Sequence, residues 1–288
     1  MMKNFKDLTI VIITFKSDEI IFRFINKIPK EIKIIVVENS KNFLLKKKLE
    51  KKFENVKVYL RQNLGVSSSL NYAAKRIKTK YFLQLSPDLK INYKDINSFF
   101  KFALKLNDNF CALGPRFLKT KKKGHLQIDR KLKYGKIDSI HGSCMFMNKE
   151  RFNEIGGWDD KIFLYFEETD FAYRGKKKGL HCYQINSVKI ETIDTTVKIN
   201  NENEKIIWKN LLIWHFVWSK FYFYKKKFGF TLTILIFFPV FLRIIFRLAL
   251  YSVIDDKKKL VKYKYRLNGL YSSLIGKSSY LRFANMRN

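Results

Sequence analysis

LTIVIIT, Leu8–Thr14, is a near-continuous β-branched run without a charge, the mark of a strand buried on both faces. Residues 32–37, IKIIVV, repeat the pattern after a stretch in which Ile20, Phe24 and Ile28 fall at helical spacing, so the chain begins β-α-β. Working outward, residues 46–53 read as a helix, 56–60 as a strand, 66–77 as a helix and 81–85 as a strand. This alternation predicts an α/β fold, a Rossmann-like and mainly parallel sheet with flanking helices. Ligands of such sheets sit beyond the carboxyl ends of the strands. Those ends are polar: Thr14, Phe15 and Lys16; Glu38, Asn39 and Ser40; Arg61, Gln62, Asn63 and Gly65; Ser86, Pro87 and Asp88.

The residue types at these ends suit a charged, hydroxyl-rich ligand. Glu38 can accept hydrogen bonds from a base imide or a ribose, and Arg61 can reach a phosphate or a base edge. Asp88, behind the rigid Pro87, is a hard oxygen ligand suited to a Mg²⁺ or Mn²⁺ ion that bridges a diphosphate. Alone, an Asp after Pro is first of all a turn or cap residue; its place among the other strand ends makes it a site candidate.

A second stretch, residues 148–179, reads NKERFNEIGGWDDKIFLYFEETDFAYRGKKKG. Gly156 and Gly157 turn the backbone, aromatics come next, and Glu167, Glu168 and Asp170 fall within four positions. A carboxylate among Phe163, Tyr165, Phe166 and Phe171 is partly desolvated, which raises its pKa and improves it as a proton acceptor. The same acids would also suit a helix start, where the dipole favours negative charge.

The 288 residues suffice for one large domain with an appendage or for two modest domains. With 58 Lys and Arg against 25 Asp and Glu, the net charge of +33 calls for anionic partners, whether nucleotide phosphates, nucleic acid or an acidic membrane surface. A nucleic-acid-binding module is the rival that charge and the 16% aromatic content raise, but no RNP-like strand, helix-turn-helix spacing or zinc motif supports it, so no nucleic acid is expected. Cys111, Cys144 and Cys182 are scattered, odd in number and without metal spacing, which suits a reducing cytosol. The N-terminal apolar run is short enough to be a buried strand, so no export signal is expected.

In chain order, TIVIITFKS, VVENS, QNLGVSSSLNYA, YFLQLSPD and HGSCMFMNKERFNEIGGWDDKIFLYFEETDFAYR resemble the family 2 glycosyltransferases, in particular the rhamnosyltransferase-like branch, over residues 8–190. The resemblance implies a GT-A fold, a nucleotide-diphosphate sugar donor, a divalent metal and transfer with inversion. It implies that Thr14, Phe15, Glu38 and Asn39 hold the nucleoside and that Arg61, Asn63 and Gly65 lie beside the ribose and diphosphate. Asp88 matches the last acid of an Asp-x-Asp-like motif whose first position here is Ser86. Glu168 matches the catalytic base, commonly Asp in relatives, with Glu167 as understudy and Asp170 as a structural, helix-anchoring acid. Gly156, Gly157 and Trp158 match the turn and aromatic wall that hold the acceptor, and His141 and Gly142 line the acceptor side. Residues 187–196, SVKIETIDTT, lack the His that metal-binding relatives place there, and Glu191 is the substitute oxygen ligand. A catalytically silent relative that only scaffolds a glycan assembly complex is the other alternative.

From Asn200 onward the character changes. Trp208, Trp214, Trp218 and residues 221–224 put aromatics beside Lys225, Lys226 and Lys227, an interfacial composition. Residues 228–242 carry no charge, and Arg243 and Arg247 interrupt the apolar residues after them. That run is marginal for a full crossing, which needs about 20 apolar residues. The expected division is a catalytic domain over 1–200 and a basic, aromatic helical tail over 201–288. The tail is expected to lie peripherally or shallowly inserted on the cytoplasmic face of the inner or plasma membrane, its Lys and Arg reaching anionic headgroups. A soluble helical hairpin packed through its apolar face is the competing reading. A polyprenol-linked or other glycan acceptor would account for a membrane-seeking tail.

Overall fold

A computed structural model describes residues 5–118, 127–192, 197, 199 and 201–283. The elements run β1 (Leu8–Thr14), α1 (Asp18–Ile25), β2 (Lys33–Glu38), α2 (Phe43–Lys52), β3 (Val56–Leu60), α3 (Val66–Ala74), β4 (Tyr81–Leu85), β5 (Leu89–Ile91), α4 (Ile96–Lys105), β6 (Ala112–Phe117), β7 (Tyr134–Ile137), β8 (Cys144–Asn148), α5 (Lys149–Ile155), α6 (Glu167–Lys177), β9 (Cys182–Thr192), α7 (Glu202–Phe228), α8 (Phe230–Val253) and α9 (Lys257–Leu274). The four expected strands form with bounds within a residue of those predicted. The predicted helix over 66–77 stops at Ala74, and α2 begins three residues before 46 because Asn42 caps it, its Oδ1 accepting from the Leu45 N–H at 2.9 Å.

One sheet carries the strands in the order β3-β2-β1-β4-β8-β6-β9-β5, with β7 also paired to β9. The first four are parallel, as β-α-β units require. Beyond β4 the sheet is mixed: β8 runs antiparallel to β4 and β6, β6 parallel to β9, and β5 and β7 antiparallel to β9. Both faces are covered. One core gathers Ile10, Ile12, Val36, Phe99 and Phe146, the other Val11, Val37, Phe82, Met145 and Phe171, so successive residues of β1, β2 and β8 enter opposite cores. That division is the physical reason LTIVIIT has no polar face.

The chain divides into two compact units, one of Met1–Asp159 with Glu167–Lys198, the other of Asp160–Phe166 with Ile199–Asn288. In the second, α7, α8 and α9 pack through Phe221, Phe237, Ile244 and Leu270. The short segment from the middle of the chain belongs with them: Phe163 stacks on His215 at 4.4 Å, and Tyr165 and Phe166 meet Phe216 at 5.6 and 5.8 Å. These three aromatics, expected to surround Glu167, Glu168 and Asp170, instead engage α7.

Candidate functional site

The carboxyl ends of β1, β2 and β3 and the start of α3 form one polar patch. Thr14 is fully buried, and its Oγ1 makes no hydrogen bond among the described residues. The Asn39 N–H donates to the Thr14 carbonyl at 2.9 Å, and the Asn39 side chain accepts from Ser69 Oγ at 3.0 Å. Phe15 is half-buried, its carbonyl accepting from Ser17 Oγ at 3.1 Å. Glu38 is buried, and its carboxylate shapes the β2–α2 loop: Oε1 accepts from the Ser40 N–H at 2.8 Å and from the Ser40 hydroxyl, Oε2 from the Asn42 N–H at 2.6 Å. A carboxylate accepts about four hydrogen bonds, and three of those of Glu38 are committed to the protein.

Arg61 turns onto α3. Its Nη1 donates to the Ser68 carbonyl at 2.9 Å and its guanidinium lies 4.3 Å from the Tyr72 ring centroid. Asn63 Oδ1 receives the Gly65 N–H at 3.2 Å, and Gly65, at φ +99°, adopts a conformation that favours glycine and opens α3. Among the described residues no side chain caps the α3 N-terminus, which is the end of a helix that favours an anion. Ser67, fully buried in its first turn, also has a hydroxyl without a partner among the described residues.

The end of β4 and the start of β8 form a second patch. Asp88 is half-buried in the turn closed by the Leu89 N–H on the Ser86 carbonyl, at 3.3 Å. The Ser86 N–H donates to the Ser143 carbonyl at 2.8 Å, and Gln84 donates to the Gly142 carbonyl, which sets His141 and Gly142 beside that turn. His141 Nδ1 accepts the Ser143 N–H at 3.2 Å, so its ring proton belongs on Nε2. Glu191 lies on β9 opposite Lys90 of β5, two residues past Asp88. Among the described residues no group of three or more His, Cys, Asp or Glu could hold a metal ion, and residues 193–196 lie outside them. Two carboxylates, one facing a lysine, suit a hard cation that takes its remaining ligands from substrate phosphate and water; they do not make an all-protein cage. A Mg²⁺ or Mn²⁺ ion fits the donor set only in that form.

The third patch is the turn before α6. Gly156 (φ +92°) ends α5, and at Gly157 (φ +66°) an added Cβ would lie 2.9 Å from Asn71 Oδ1. Asn71 of α3 brackets Trp158, donating to its carbonyl at 2.8 Å and accepting its N–H at 2.9 Å. Asp170, fully buried, receives Arg174 Nε at 2.8 Å, and the same guanidinium donates to the Ile155 and Gly157 carbonyls at 2.8 and 2.6 Å. Trp158 departs from its expected role. It is 3% exposed and stacks on Phe171 at 4.8 Å, a core residue with no face to offer a sugar. Glu167 and Glu168 open α6; Glu168 is half-buried, whereas Glu167 is buried and its Oε2 has no partner among the described residues. Burial first, and then the neighbouring Glu168, push the Glu167 carboxyl well above the usual range. Of the two glutamates, Glu167 is therefore the desolvated one and Glu168 the more open.

A family model described as glycosyl transferase family 2 matches residues 9–156, which include the first patch and Asp88, His141 and Gly142 of the second, and end at Gly156. The chain belongs to glycosyl transferase family 2. It is 26% identical over 219 residues to the low-salt glycan biosynthesis hexosyltransferase Agl10 of Haloferax volcanii, covering 66% of this chain and 69% of that protein. It is 26% identical over 217 residues to the dTDP-rhamnosyl transferase RfbF of Shigella flexneri, covering 66% and 70%. Among solved structures, the mannosyltransferase PcManGT of Pyrobaculum calidifontis in complex with GDP-Man and Mn²⁺ superposes with a TM-score of 0.57 at 12% identity, over 93% of this chain and 87% of that one. S. aureus TarS 1–349 in complex with UDP-GlcNAc gives a TM-score of 0.52 at 13% identity, over 96% and 93%, whereas this chain covers 39% of a longer TarS structure. The fold of this glycosyltransferase is thus GT-A, a curled mixed sheet with flanking helices. Asn71, Gln84 and Arg174 escaped the sequence reading. Arg174, four positions after Asp170, was legible as an i,i+4 pair, while Asn71 and Gln84 left no local signal.

Proposed function

We propose that this family 2 enzyme is an inverting transferase that moves a hexose, a deoxyhexose such as rhamnose, from a nucleotide diphosphate to a glycan or polyprenol-linked acceptor in cell-surface polysaccharide synthesis. The observation that carries the reading is the row of strand ends in a family 2 chain, with Glu38, the Asn63–Gly65 loop and Asp88 on the donor side and Glu168 at the head of α6. The likeness to RfbF and Agl10 supports the sugar class. In the reaction Glu168 takes the proton of an acceptor hydroxyl as that oxygen bonds to the anomeric carbon. The bond from that carbon to the diphosphate oxygen breaks on the opposite face, and the diphosphate leaves with the electron pair. Asp88 and Glu191 would hold a divalent ion, which supplies positive charge to the departing diphosphate. The first turn of α3, after Gly65, would orient the donor's diphosphate.

The test is Glu168→Gln, which keeps shape and removes the base. Transfer should fall by about 10²–10⁴-fold, the range a general base contributes, while nucleotide-sugar affinity measured by calorimetry stays unchanged. Full activity of that variant removes Glu168 from the mechanism.

The second unit is read as a cytoplasmic-face membrane anchor. Among the described residues, one helix, Phe230–Val253, is long and apolar enough to cross a membrane. It leaves Leu235, Phe238 and Phe246 more than half exposed while Phe237, Ile244 and Tyr251 face its neighbouring helices. Shallow insertion with Lys225, Lys226 and Lys227 at the headgroups accounts for both the exposed apolar face and the charge. Deleting residues 228–254 should abolish co-sedimentation with anionic vesicles, and retained sedimentation sinks the anchor.

A further inference from the structure

A cavity of 560 Å³ opens where β6 and β9 lose register, and none of the three patches uses it. Pro115 pairs with Ile185, but its neighbour Arg116 pairs with Lys189, so Asn186, Ser187 and Val188 bulge out of β9. Proline has no N–H to continue the ladder, and a bulge is the ordinary answer. The bulge sends buried Asn186 across the gap, where its amide donates to the Asp129 and Leu132 carbonyls at 2.8 and 2.7 Å and its Oδ1 accepts from Arg116 Nη1 at 3.0 Å. Arg116 Nη1 also donates to the Ile128 carbonyl at 3.0 Å. The guanidinium is therefore oriented entirely by neutral acceptors.

Among the described residues, the lining carries Arg116, Arg130 and Lys189 and no acid. Among the described residues, none of the three forms an ion pair; Asp95 senses Lys189 only through space. Three cations without an ion pair around one concavity repel each other, and an anion bound there removes that repulsion. Gln127 adds an acceptor: its Nε2 donates to the Phe117 carbonyl at 3.1 Å, while its buried Oε1 has no partner among the described residues and suits a hydroxyl. The cavity adjoins the acceptor side, since the Phe117 ring meets the His141 ring at 5.2 Å. It is not the nucleotide patch, which lies at the ends of β1, β2 and β3.

We propose that this cavity holds the phosphate or diphosphate ester of the acceptor, with a sugar hydroxyl of the same molecule on Gln127. The proposal deepens the transferase reading and rests on it for the word acceptor, but the binding it predicts is measurable without a donor. The full chain would be titrated calorimetrically with geranyl diphosphate in EDTA, with inorganic diphosphate as competitor and geraniol as the uncharged control. Geranyl diphosphate should bind and inorganic diphosphate should displace it, while geraniol should not bind. Arg130→Gln with Lys189→Gln, both exposed, should weaken the affinity by about tenfold or more, the effect of losing two charge-assisted contacts, and Asp88→Ala should leave it unchanged. Arg116→Gln should act in the same direction; because Arg116 also braces the bulge, its melting curve is recorded beside the exposed pair. Wild-type affinity in the Arg130/Lys189 variant, equal binding of geraniol, or loss of binding in Asp88→Ala each overturns the proposal. A failed transferase reading would show differently, as no transfer from any nucleotide sugar with this binding intact.

Discussion

Asp88 and Glu38 are single residues on which two different kinds of chemistry meet. Glu38 resembles a ligand-binding acid in sequence, yet its oxygens already hold Ser40 and Asn42, so its first effect is on the shape of the loop. Asp88 sits in a tight turn braced by β8, and the resemblance that assigns it to a metal also places Ser86 where a second acid is usual. With one carboxylate fewer, metal and donor should bind as a mutually dependent pair, the diphosphate supplying the missing oxygens. Asp88→Ala should therefore weaken Mn²⁺-dependent binding of the nucleotide sugar by about tenfold or more and leave the metal-free component untouched. Calorimetry with and without Mn²⁺ measures this, and an unchanged metal increment removes Asp88 from the site.

At the scale of elements, the turn from α5 to Trp158 is held from two sides, by Arg174 of α6 and Asn71 of α3. Gly157 has φ +66°, and any Cβ there would meet Asn71 Oδ1 at 2.9 Å. Gly157→Ala should cost about 1–3 kcal/mol, combining left-handed backbone strain with the displaced amide, and denaturant unfolding would register it. Unaltered stability would mean that the clamp is loose. Two consecutive residues in the same left-handed region, Tyr165 and Phe166, precede α6, each an uncommon conformation for an aromatic. Their rings meet Phe216 of α7, and that packing offsets the strain. The GG pair was legible as a turn because two glycines leave few alternatives. The identity of the clamping residues was not, since Asn71 is 87 positions from Trp158.

At the scale of the molecule, the helical unit carries its own pH dependence. His215 is fully buried, its Nε2 bonded to the Leu281 carbonyl at 3.0 Å and its Nδ1 to Ser279 Oγ at 3.0 Å. A carbonyl only accepts, so Nε2 bears a proton. Burial lowers its pKa from 6.5 to about 3. A group whose neutral form is favoured by folding contributes fully above its unfolded pKa and progressively less as protons bind the unfolded chain below it. Stability of the helical unit should therefore fall from pH 6.5 downward, by about 2 kcal/mol at pH 5 from this group alone. Thermal unfolding between pH 7 and 4 reads this out, and His215→Gln should flatten the slope; an equal slope in that variant assigns it elsewhere.

The order of strands and helices through β4, the polar strand ends and the family itself were all written in local sequence, because apolar periodicity and motif spacing are properties of neighbouring residues. The division between two cores was equally implied by strands that are apolar at every position. Tertiary structure decided what depends on distant partners. Trp158 looked like a sugar wall and is core because Phe171 covers it. Among two adjacent acids, burial singled out Glu167 for desolvation and left Glu168 open, a difference no spacing rule contains. Arg116, Arg130 and Lys189 read as three of 58 basic residues in a lysine-rich chain. Only the slipped register of β6 against β9 gathers them around one cavity, since a bulge is a property of two strands and neither carries it alone.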